Sequence, residues 1–251
     1  MASSVIVPSV SLPTSSTANH VIIWLDQHIG LIKSNNQLKS AVGGQTDPHN
    51  VTPTSPNERD IGNLIRFQEL LDTNFFGIPE NLKAFYEIDS CLECIGENLA
   101  NRKQIFFVTS GTMGEKILPK IAELYPSLKQ IYLFCGYYRA HVGWAYDYLD
   151  QGFDIIMIDF HTDLVMRLSR DVAEYFISEG NGLMQGNSPV ADSAVVYFRW
   201  AKLLLDRANN IAMVKVFDRL RYAENRMEVA EELISQLSGD DNDKVSHEQF
   251  P

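Results

Sequence analysis

The segment Ser110-Gly111-Thr112-Met113-Gly114-Glu115-Lys116 has the residue types and spacing best suited to chemistry. Small residues let a backbone approach a ligand, and a helix starting here would aim free N–H groups at an anion. Lys116 would add a positive charge. The combination suits a phosphate or a nucleotide. It is not a Walker A loop, because the Gly-Lys step is absent. The competing interpretation is a tight strand-to-helix turn that needs glycine for its backbone angles. Glu115 and Glu123 follow on the same stretch. A glutamate on an amphipathic helix is usually a solvated surface residue.

Other reactive residue types are scattered. Cys91-Leu92-Glu93-Cys94 is a CxxC at an expected helix start, where a thiol pKa falls and redox chemistry is conceivable. No second CxxC completes a zinc site, so a pair of core cysteines is the competing interpretation and no metal is expected. Cys135, His141 and His161 have no spaced partner in the sequence. HExxH, GxSxG and paired-carboxylate patterns do not occur.

Apolar runs supply the frame for these residues. Val21 to Leu25, Ala84 to Ile88, Ile105 to Val108, Gln130 to Phe134 and Asp154 to Ile158 read as strands, and the short continuous ones suit strands covered on both faces. After a polar insertion at 34–60, strand starts recur about every 20–26 residues, with helical spacing between them. A helix is expected over Ile61 to Leu71, and Ser90 is placed to cap the helix that begins near Cys91. Five βαβ units with right-handed crossovers predict an α/β fold: a five-stranded, parallel, doubly wound, flavodoxin-like sheet in the order 2-1-3-4-5. Residues 20–160 form this domain. Helices over Leu164 to Leu183, Ala191 to Leu205 and Ile211 to Leu237, with breaks at 186–189 and Asn209-Asn210, make a helical segment at 161–238. The stretches 1–19 and 239–251 read as disordered tails.

In such sheets ligands bind at the carboxyl ends of the strands, beside the point where strand order reverses. That edge gathers Asp26, Gln27, Thr109, Ser110, Gly111, Cys135, Gly136 and Asp159, with Thr112, Gly114 and Lys116 opening the helix after strand three.

The five-unit pattern over about 20–160 resembles two signalling families, the response-regulator receiver and the Toll/interleukin-receptor (TIR) domain. The receiver resemblance implies acidic residues after strand one, an acceptor Asp after strand three and a Lys after strand five. Asp26 meets the first, whereas Thr109-Ser110-Gly111 stands at the acceptor position and Asp159 lies near the Lys position. The TIR resemblance implies NAD cleavage by a Glu on the helix after strand three, where Glu115 and Glu123 lie. Val108 to Lys116 also resembles the phosphate loop of acyl-adenylating enzymes, without their other motifs. In Val172 to Ala208, Gly180-Asn181, Gly186, Ala194, Phe198 and Ala201 resemble one tetratricopeptide repeat, although the turn is about two residues long for it and Leu183 replaces an aromatic.

A net charge of −11 disfavours nucleic-acid and anionic-membrane partners. The longest apolar runs are far below the roughly 18–20 residues that span a bilayer. Three cysteines and a Ser/Thr-rich start without a basic and apolar leader suggest a cytoplasmic protein. The expected function is a non-catalytic signalling or scaffold module with a protein partner. The alternative is an enzyme that takes NAD or a nucleotide at the strand-3 turn, and a thiol redox protein is a weaker one.

Overall fold

The computed structural model describes residues 19–27, 69–78, 82–185, 190–212 and 215–244. The 34–60 insertion, the 186–189 break and most of both tails lie outside them. The elements are β1 (His20–Leu25), β2 (Leu82–Phe85), α1 (Ile88–Ala100), β3 (Gln104–Ser110), α2 (Gly111–Leu124), β4 (Gln130–Phe134), α3 (Val142–Leu149), β5 (Asp154–Ile158), α4 (His161–Leu183), α5 (Ala191–Ile211) and α6 (Phe217–Lys244). Residues 69–74, before β2, are also helical.

All strand pairs are parallel, in the order β2-β1-β3-β4-β5 expected from the sequence. The interior strand β1 is buried along its whole length, as an uninterrupted apolar run requires. Its side chains alternate between two cores. Val21, Ile23 and Leu25 join Ile105, Phe107 and Ile131 under α1 and α2, with Trp144 and Tyr148 of α3 at the margin. Ile22 and Trp24 join Phe106, Val108, Tyr132 and Phe134 under Leu71, Phe75 and the α4–α5 pair.

The sequence left open whether the C-terminal helices pack on the sheet; they do. Leu164, Leu168, Val172 and Phe176 of α4 enter the second core, and α5 packs behind α4. A polar tie reinforces the apolar contact. Tyr132 Oη on β4 donates to Asp171 Oδ2 on α4 at 2.6 Å, and Arg167 Nε donates to the same oxygen at 2.7 Å. Burial and the Asp171 carboxylate push the Tyr132 hydroxyl pKa well above its ordinary value. Gly180 of α4 lies against the Phe198 ring of α5, where an added Cβ would stand 2.7 Å from the ring. Phe198, Ala194 and Ala230 of α6 then make a third core.

Several element ends differ from the sequence expectation. β2 is Leu82–Phe85, and Ile88 begins α1 rather than ending the strand, because it continues the helical row Ile88, Cys91, Leu92, Ile95. Glu87, not Ser90, is the N-cap residue. α5 runs through Asn209-Asn210 to Ile211. The buried Asn209 amide secures the turn that follows, donating to Val216 O at 3.2 Å and accepting from Val216 N at 2.8 Å. α6 continues to Lys244, so the helical ladder includes 239–244, which the sequence reading assigned to a disordered tail.

Candidate functional site

The expected ligand edge is built from the ends of β1, β3, β4 and β5. β3 extends two residues past the apolar run because β-branched Thr109 pairs across to Leu25 and Leu133, and Ser110 to Phe134. Helix α2 starts at the next residue, Gly111. Thr109-Ser110-Gly111 is therefore strand end and helix start, with no loop between them to wrap a phosphate.

Packing accounts for the two glycines. A Cβ on Gly111 would collide with the His141 imidazole. One on Gly114 would stand 2.7 Å from Leu133 Cδ1, 3.2 Å from Thr109 Cγ2 and 3.3 Å from Trp144 Cη2. The indole N–H of Trp144 donates to His141 Nδ1 at 3.3 Å, and Nε2 is the ring atom nearest the Cβ position of Gly111. His141 is the residue the sequence underrated. The available signal was its spacing: three positions before Trp144, around the start of α3, two rings can meet.

Thr109 is buried, and its hydroxyl donates to Ser110 O at 3.3 Å. Ser110 is the N-cap residue of α2 but makes no side-chain cap bond, and its buried Oγ has no partner among the described residues. Asp26 is also buried and extends the β1–β2 ladder, its N–H donating to Phe85 O at 2.9 Å. Gln27 beyond it is exposed.

The remaining candidates on α2 point away from this edge. Its inner face is Gly111, Met113, Gly114, Ile117, Leu118 and Ile121, which leaves Thr112, Glu115, Lys116 and Glu123 exposed. Eight positions separate the glutamates, about 12 Å of helix rise and too far to act on one bond.

Cys135 follows β4, and its N–H donates to Ile158 O at 2.9 Å. Burial, and secondarily Asp159, push its thiol pKa up to about 11. Gly136 is exposed, and a Cβ there would meet nothing within 4 Å. Cys91 and Cys94 face the first core. Burial drives the Cys91 thiol pKa far up and raises that of Cys94, whose Sγ accepts from Asn98 Nδ2 at 3.4 Å. A disfavoured thiolate is the opposite of what redox exchange needs. Among the described residues no three His, Cys, Asp or Glu side chains gather as metal ligands.

The open part of the edge lies beyond β4 and β5. Tyr137, Tyr138 and Phe160 are 68%, 47% and 60% exposed. Beside them a cavity of about 240 Å³ is lined by Tyr138, Met157, Ile158 and Asp159.

Compared with protein-family models, with curated proteins and with solved structures, the chain matches none. Among the described residues no helix is long and apolar enough to cross a membrane.

Proposed function

We propose that the protein is a non-catalytic signalling or scaffold module that binds a protein partner with the carboxyl end of β4 and β5. The observation that carries this reading is the exposed Tyr137, Tyr138 and Phe160 rim. Exposed aromatics gathered at one place mark interaction surfaces, and Tyr and Phe are enriched there. The likeness to receiver and TIR sheets supports the same class. So does the Gly180–Phe198 contact in the tetratricopeptide-like pair. Three free cysteines suit a reducing compartment such as the cytoplasm. The test compares tagged wild type with the Tyr137→Ser/Phe160→Ser double variant and with Val229→Ser on α6, all matched for melting temperature. A partner kept by Val229→Ser and lost by the double variant is expected. Identical partner sets would sink the reading.

A second reading, an enzyme for NAD or another nucleotide, is favoured by the unpartnered Ser110 Oγ beside His141 at the start of α2. It requires the His141 ring to leave Gly111. Under the first reading, NAD and ATP leave the melting temperature unchanged. Stabilisation by either one, of about 2.7 kcal/mol at a hundredfold excess over Kd and abolished by Ser110→Ala, would place a nucleotide at this edge and favour the second reading instead.

A further inference from the structure

The outer edge of β5 is open: among the described residues no strand pairs with it. The hydrogen bonds on its inner side fix which groups face out. Asp154 N–H donates to Lys129 O at 2.8 Å, and Ile158 O accepts from Cys135 N–H at 2.9 Å. In a parallel ladder alternate residues turn both backbone groups to the same neighbour. Asp154, Ile156 and Ile158 therefore face β4, while Ile155 and Met157 turn their N–H and C=O groups outward.

Sheet edges are usually guarded by Lys, Pro or a bulge. The opposite edge strand, β2, carries Lys83. Between Asp154 and Asp159, β5 carries only Ile, Ile, Met and Ile, all half-buried. On α3, the helix that packs beside β5, Tyr146 and Leu149 are exposed.

Charge then selects the occupant. Residues 147–163 contain Asp147, Asp150, Asp154, Asp159 and Asp163, all exposed, and no Lys or Arg. Of the cations nearby, Lys129 is engaged with Gln151 O and the Phe153 ring, Arg167 is held by Asp171 while also lying within electrostatic reach of Asp154, and exposed Arg139 lies in the turn after β4. A second copy would bring a second set of the same exposed aspartates to this edge, and like charges gathered there disfavour the pair.

We propose that the β5 edge binds, by strand addition, an extended apolar segment of a partner protein with basic residues at both ends. The backbone of Ile155 and Met157 supplies the ladder, and Asp154 and Asp159 bracket the segment and pair with its basic ends. This rests on the interaction-module reading and names the chemistry of the partner.

The probe is a labelled nine-residue peptide of alternating valine and threonine with two lysines at each end, titrated into the full chain and followed by anisotropy. Saturable binding is expected. It should weaken at least about tenfold when glutamates replace the lysines, and again when alternate amides of the peptide are N-methylated. Met157→Pro should weaken it similarly, because proline there removes an outward N–H and leaves the ladder to β4 intact. Where Met157→Pro does not fold, the N-methylated peptide decides. Absence of binding, or equal binding of the N-methylated peptide, overturns strand addition. Dimerisation of the protein alone in sedimentation, lost in Met157→Pro, gives the edge to a second copy and overturns the basic partner. Peptide failure with partner loss in Tyr137→Ser/Phe160→Ser leaves the module reading standing. Unchanged partners in that double variant sink the module reading even where the peptide binds.

Discussion

Beyond β3 the sheet ends in a strand that becomes a helix within one residue, with the His141 ring laid on Gly111. Beyond β4 and β5 it ends in Tyr137, Tyr138 and Phe160, all turned to solvent. The first region has the residues expected of a ligand site and is filled by the protein's own side chains. The second has no catalytic motif and is open. A glycine that admits a neighbouring side chain and a glycine that admits a phosphate look the same in a sequence. The residue occupying the space left by the missing Cβ tells them apart.

The largest test of this contrast is Gly114→Val. If the glycine serves helix-on-strand packing, the added methyls press on Leu133, Thr109 and Trp144 and cost about 1–3 kcal/mol. For a chain of this size each kcal/mol lowers Tm by roughly 2–4 °C. An unchanged Tm would break the packing account of the closed region.

Gly111→Ala is milder, because the half-buried His141 ring is able to rotate away. We expect a loss of about 1 kcal/mol or less and a shift in Trp144 fluorescence as its bond to Nδ1 is lost. The same substitution in a His141→Ala background should cost nothing further, a coupling that a double-mutant cycle measures. Additive costs would mean that His141 does not occupy the space at Gly111.

The smallest effect belongs to the open region. Tyr137→Ser and Phe160→Ser each remove exposed rings and should lower unfolding free energy by no more than about 0.5 kcal/mol in a denaturant titration. A larger loss from either would mean that the rim is structural, and the contrast would fail.

The sheet was legible because its strands are short apolar runs at regular intervals, and right-handed crossovers leave few ways to order them. Its ends were less legible. Ile88 suits either a strand or the first turn of a helix, and only its burial beside Cys91 and Leu92 decides. Thr109 reads as a loop residue beside Ser110-Gly111, yet its pairing with Leu25 and Leu133 holds it in the sheet. The candidate residues at the strand ends lie where the topology predicted, because strand order fixes that edge. Which of them face one another was not legible. Glu115 and Lys116 point outward by helical phase, and His141 arrives from a turn some 30 positions downstream, a contact no local pattern encodes.

Phe160 belongs to the rim and is also the N-cap residue of α4, where its carbonyl accepts from Leu164 N–H at 3.1 Å. From that point α4 runs 23 residues, about 35 Å, and ends where Gly180 meets Phe198. The rim is therefore one end of a helix whose middle is tied to the sheet through Tyr132, Asp171 and Arg167 and whose far end carries the α5–α6 stack. A partner seated on Phe160 would grip the same element that anchors the third core.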